Sequence, residues 1–187
     1  MRKSLFVSGA IALCGGLTAC GTPVVTNFEA TIATIADAPF GLLDEDRGKT
    51  VSGSFSWNTA TIDSDPLQDS GEYNHSGDGT FRLLLPRNEI TGSGFSQVVV
   101  ANSTSLQITD GGATPGEARP MLVDGVPSET AELSLVMVND NPVFENGRLP
   151  IILPDRSPEN WSHTFAVSDV NGTLLLQFTE LTDVPQD

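Results

Sequence analysis
The sequence predicts an all-β protein, a two-sheet antiparallel β-sandwich of jelly-roll or immunoglobulin-like character. Three observations lead there. Apolar runs are short, Gly, Pro, Asn and Asp interrupt them at close intervals, and several runs alternate apolar and polar residues at period two. Eight or so such strands with no helix between them need two packed layers to bury their apolar faces.

The clearest strand is 49–57. Val51, Phe55 and Trp57 alternate with Ser52, Ser54 and Ser56, and Gly53 falls on the apolar side, so one face is buried and the other is hydroxylated. Residues 161–168 repeat the pattern, with Trp161, His163, Phe165 and Val167 on one side. Asn171-Gly172 then signals a type I′ hairpin turn into 173–181, where Leu174, Leu176 and Phe178 share a face. Between these lie 80–85, 95–102, 105–109, 120–124 and 131–139, some apolar on both faces and therefore suited to the middle of a sheet. Residues 28–35 fit a helical stripe through Phe28, Ile32 and Ile35, but Thr31, Ile32, Thr34 and Ile35 are β-branched, and the segment reads as the first strand.

The amino terminus is a targeting segment. Arg2 and Lys3 precede an apolar stretch over 5–17 that is too short to span a bilayer. It ends in Leu17-Thr18-Ala19-Cys20, which resembles the bacterial lipoprotein signal. That resemblance implies cleavage before Cys20 and acylation of its thiol and new amino group. The expected organisation is a signal peptide over 1–19, a lipidated Cys20 with a short tether over 20–27, and a β-sandwich domain over 28–187. Several acyl chains, at about 0.8 kcal/mol per buried CH₂, make such an anchor effectively permanent. Gly21 rather than Asp follows the cysteine, which by the same resemblance favours the outer membrane within the cell envelope.

Charge and cysteine content exclude whole classes. Nine Lys and Arg stand against 24 Asp and Glu, too acidic a balance for nucleic acid. Cleavage would leave seven cations and a net charge of −17, which repels anionic lipid head groups. Cys14 leaves with the signal and Cys20 is acylated, so no disulfide is expected.

The run Gly53-Ser54-Phe55-Ser56-Trp57-Asn58-Thr59, then Asp63-Ser64-Asp65-Pro66, then Gly71-Glu72-Tyr73, resembles secreted bacterial β-sandwich domains of PEP-CTERM-type proteins. Leu149-Pro150 and Gly172-Thr173-Leu174 are similar too, so the likeness covers most of the mature domain. The chain ends in Val184-Pro185-Gln186-Asp187 without that family's hydrophobic sorting tail. The resemblance implies a fold and no catalytic residues.

Candidate sites are few. Asp63, Asp65 and Asp69, with Glu72 nearby, offer hard oxygen ligands to Ca²⁺, against the alternative of a solvated acidic turn. The loop lacks the Gly and Glu of a twelve-residue calcium loop, so it is not an EF-hand. Asp44-Glu45-Asp46 reads as a solvated run of acids. His75 lies in a polar loop and is expected to be exposed, whereas His163 lies on the apolar side of its strand. There is no Gly-x-Ser-x-Gly elbow, no His-Glu-x-x-His and no phosphate loop. Trp57, Tyr73 and Trp161 are the aromatics that could stack on a sugar, though both Trp residues sit on apolar strand faces. The sequence therefore reads as a non-enzymatic, lipid-anchored surface or adhesion-type binding module. Its partners are the membrane, through Cys20, and an unidentified glycan or protein. An envelope glycan hydrolase using a carboxylate pair and a ligand-free spacer are the alternatives.

Overall fold
The computed structural model describes residues 23–61, 70–75, 79–94, 96–100, 105–110, 121–139 and 158–184. Cys20, Asp63, Asp65 and Asp69 lie outside the described residues.

The all-β expectation holds: the described residues form strands, with 3₁₀ turns at Pro39–Gly41, Asp44–Asp46 and Pro158–Asn160. The strands are β1 (Pro23–Ala36), β2 (Thr50–Asn58), β3 (Ser70–Asn74), β4 (Thr80–Leu84), β5 (Glu89–Ser93) and β6 (Ser96–Val100). They continue with β7 (Ser105–Asp110), β8 (Met121–Val123), β9 (Val126–Ser128), β10 (Glu132–Asn139), β11 (Trp161–Asp169) and β12 (Gly172–Val184). All pairings are antiparallel, and they join the strands into one curled sheet in the order β3-β6-β7-β10-β11-β12-β1-β2-β4-β5-β8-β9. β1 starts five residues before the alternation suggested, so residues 23–27, expected as tether, are already paired with β2 and β12.

The curl follows from which side chains point inward. Val24, Thr26, Phe28, Ala30 and Ile32 of β1 are buried in strict alternation, as are Val51, Phe55 and Trp57 of β2. Phe28 gathers Phe55, Phe81, Phe165 and Phe178 around itself, with ring centroids 5.3–6.5 Å away. Phe81 on β4 and Phe165 on β11 are four strand spacings apart in the sheet order, about 19 Å if the sheet were flat. Their rings nevertheless meet edge to face at 6.3 Å. Only a sheet rolled around its apolar face brings them together.

Two backbone devices permit the roll. The β1–β12 register shifts between Glu29 and Ala30 and again between Ile32 and Thr34, and each extra residue bends and twists the pair. The first shift also explains why buried positions on β12 run Leu174, Leu176, Phe178 and then Leu181. The second device is Gly53, which pairs with Phe28 and lies directly beneath its ring. A Cβ there would fall 2.3 Å from Phe28 Cζ and 2.4 Å from the Arg82 carbonyl oxygen.

The long hairpin of β3–β4 against β5–β6 is bent. Its outer arm pairs β4 with β5 beside β2, and its inner arm pairs β3 with β6 beside β7. At the bend the Gly79 amide donates to the His75 carbonyl (3.0 Å), and the Gly94 amide donates to the Gly79 carbonyl (2.9 Å). This hairpin ties distant parts of the strand order together, as corner-forming strands do. At the far edge, β9 carries Pro127, a residue without an amide to offer another strand.

Two turns depart from expectation. The β11–β12 hairpin forms, but Asp169 pairs with Gly172, leaving Val170 and Asn171 as the turn. The Asp169 carboxylate accepts the amides of both Asn171 (2.8 Å) and Gly172 (3.1 Å), which draws the turn one residue earlier. The type I′ geometry occurs instead at Asp124-Gly125, with φ of 52° and 78°, between β8 and β9. That Asp-Gly pair is the same kind of signal as Asn171-Gly172.

Gly53→Ala forces its methyl into the Phe28 ring and the Arg82 carbonyl and is expected to cost about 1–3 kcal/mol. Ser52→Ala, on the opposite face of the same strand, should stay within about 0.5 kcal/mol. Urea unfolding midpoints of the two variants test whether the Phe28–Gly53 contact sets the curl.

Candidate functional site
The outward face of the central strands carries a trough of about 430 Å³ with a mixed polar and apolar lining. Its walls come from two adjacent cross-strand rows. One row runs Thr182, Asn27, Ser54 and Arg82 across β12, β1, β2 and β4, and the next runs Glu180, Glu29, Ser52 and Leu84. Serines on β2 are short, while the side chains of Glu29, Glu180, Arg82 and Leu84 are long. A depression along β2 follows directly from that difference in reach.

Two features of the trough matter chemically. Glu29 and Glu180 are directly opposed across β1 and β12, next to the register shift. Such pairs hold their Cβ atoms about 4.5–5.5 Å apart, and like charges so placed repel. Thr182 Oγ1 donates to Glu180 Oε1 (3.1 Å), and across the trough Arg82 pairs with Glu89. One wall thus accepts hydrogen bonds, the other donates them, and Ser52, Ser54 and Asn27 between them do both.

A second groove, of about 440 Å³, opens where β11 and β12 diverge. Their ladder ends at Phe165–Leu176, and beyond it the Phe178 amide donates to His163 Nε2 at 2.8 Å. An Nε2 that accepts an amide leaves the ring proton on Nδ1, which faces the Trp161 carbonyl at 3.4 Å. His163 is therefore a wedge within the sheet, packed on the Phe178 ring with centroids 4.9 Å apart.

The other singled-out residues are placed differently from expectation. His75 is fully buried, because β3 continues the inward alternation of Gly71 and Tyr73; its Nδ1 meets Thr61 Oγ1 at 3.0 Å. Trp57, Tyr73 and Trp161 are at most 4% exposed, which removes all three as sugar-stacking platforms. Asp44-Glu45-Asp46 is not wholly solvated. Asp46 is 1% exposed and accepts from Lys49 Nζ (2.7 Å), the Leu43 amide (2.9 Å) and Arg87 Nε (3.1 Å), while Arg87 also reaches Glu45 (3.1 Å). The Lys49 ammonium foremost, then the Leu43 amide and the Arg87 guanidinium, hold the Asp46 carboxyl well below the usual carboxylate range. At the β8–β9 turn, Asp124 is also lowered, by the Glu89 amide and then the Asn88 side chain.

Among the described residues no three His, Cys, Asp or Glu side chains are grouped to hold a metal ion. The proposed calcium ligands Asp63, Asp65 and Asp69 are not among them. No protein-family model, curated protein or solved structure matches the chain.

Two outcomes follow. Replacing Glu29 or Glu180 with Gln relieves the facing charges and should raise stability by about 0.2–1 kcal/mol, read as a higher urea midpoint at low salt. Asp46 is ionised in the fold far below the roughly pH 4 of an unfolded carboxyl, so its stabilisation is complete above that pH and withdrawn as pH falls below it. Asp46→Asn should lower Tm at pH 7 and flatten the decline of Tm between about pH 4 and pH 2. Parallel acid limbs in the two proteins would mean that other carboxylates govern the transition.

Proposed function
We propose that the chain is a non-enzymatic, lipid-anchored cell-envelope domain that binds a polyhydroxylated ligand in the trough across β12, β1, β2 and β4. The observation that carries this reading is the opposition of Glu29 and Glu180 to Arg82 over a floor of serines. Two like charges on paired positions repel modestly, and a ligand's donors placed between them relieve that repulsion. Hydroxyl or amino groups of a glycan suit the acidic wall, and its oxygens suit Arg82 and Asn27. Export and anchoring through Cys20 rest on the resemblance of Leu17-Thr18-Ala19-Cys20 to a lipoprotein signal, with the outer membrane as destination. In architecture we read the two arms of the bent hairpin as belonging to opposite layers of a sandwich.

Thermal melts of the mature protein with neutral and amino-bearing oligosaccharides test the binding. A ligand at a hundred times its Kd adds about 2.7 kcal/mol, or roughly 5–10 °C in Tm for a domain of this size. Glu180→Gln and Arg82→Ala should each remove that rise while the unliganded protein still melts cooperatively. No shift across the panel would favour the ligand-free spacer.

A second reading has one observation in its favour. Glu29 and Glu180 are paired across β1 and β12 in the trough, and two carboxylates on one surface are the residue types that a glycosidase uses. Release of reducing ends from an envelope glycan, lost in Glu29→Gln, would establish the hydrolase in place of the binding module.

A further inference from the structure
We infer that the domain is seated directly on the lipid surface, with the rim that holds Pro23 facing the membrane and the rim of the β11–β12 hairpin facing away. The inference rests on acylation of Cys20 in the reading above. Two residues, Gly21 and Thr22, separate that cysteine from Pro23. Three Cα–Cα steps of about 3.8 Å allow at most about 11 Å between the acylated residue and the first residue of β1. Pro23 is not the end of a free arm: it pairs with Asn58 of β2, and Val25 pairs with Val184 of β12. Neither the anchor nor the strand has slack.

The pairings fix what shares each rim. Ser56 pairs with Thr80, which brings the start of β4 to the Pro23 side, and Asp169–Gly172 closes the β11–β12 hairpin at the other end, which puts Trp161 and the turn Pro158–Asn160 on the Pro23 side. The opposite rim carries Asp37, Asp44, Glu45, Asp124 and Asp169, together with Val170, which is 76% exposed. This seating turns those carboxylates away from anionic head groups, where a membrane's surface potential has decayed within about a Debye length, and leaves Glu159 as an exposed acid on the membrane-facing rim. The trough, at mid-height on the outer face, then opens sideways, parallel to the membrane.

The test uses the full acylated protein in vesicles of phosphatidylethanolamine with a minor fraction of phosphatidylglycerol. Beyond Cys20 the mature sequence has no cysteine, so Ala60→Cys and Val170→Cys each accept a single polarity-sensitive fluorophore. Spin-labelled lipid in the same vesicles should quench the label at position 60 several-fold more than the label at position 170. Inserting about ten Gly and Ser residues between Thr22 and Pro23 adds roughly 17 Å of flexible reach and should erase the difference. Equal quenching at the two positions in the uninserted protein overturns the seating, provided that mass spectrometry finds the acyl chains on Cys20. A Cys20 without acyl chains overturns the anchoring, and the seating with it.

Discussion

The contact of Phe28 with Gly53 is the constraint on which the rest depends. A phenylalanine laid over a glycine in the neighbouring strand needs the strands close and the glycine bare, and here a Cβ would collide with both ring and backbone. With that contact made, Phe28 becomes the hub for aromatic rings from β2, β4, β11 and β12. The rings cannot meet unless the sheet rolls. Rolling in turn requires the two register shifts on the β1–β12 pair, because an unbulged ladder of that length resists such curvature.

The trough is the other side of the same construction. β2 buries Val51, Phe55 and Trp57, sets Gly53 against the Phe28 ring and turns Ser52, Ser54 and Ser56 outward, so the strand that packs closely inside is also one that reaches little outside. The register shift that helps the core close leaves Glu29 facing Glu180. Outside the trough the described cations have carboxylate partners, Arg47 with Asp44 and Lys49 and Arg87 with Asp46, whereas Arg82 in the trough pairs with Glu89 through Nε alone. Those at the Asp46 rim fasten the loop after β1 to the β4–β5 turn. At the neighbouring hairpin Asp169 does the same by accepting the Phe40 amide at 2.8 Å, across 129 residues of chain.

Period-two alternation carried the all-β class and most strand positions, because inward and outward faces differ sharply on β2, β11 and β12. What alternation could not show is where it breaks. The register shifts after Glu29 and Ile32 arise from packing between strands that are distant in sequence, and no local residue marks them. His75 read as exposed because Asn, Ser, Gly and Asp surround it, whereas the buried position comes from its place two residues beyond Tyr73 on the inward face. The Asp124-Gly125 turn carries its signal in its own two residues, but the reading of 120–124 as a strand passed over it. Of the trough, the serine face of β2 was visible in the sequence, but Glu29, Glu180 and Arg82 acquire meaning only through pairing with partners far along the chain.

The pairing of β1 with β12 has a consequence for how this chain acquires its structure. β1 lies in the interior of the sheet, and one of its two neighbours is built from residues 172–184. Contacts of such large sequence separation form late and make folding slow. A chain made amino terminus first presents β1 long before β12 exists, so the hub around Phe28 lacks Phe165 and Phe178 until nearly the whole sequence is in place. The topology thereby delays its own core until the last strands are available.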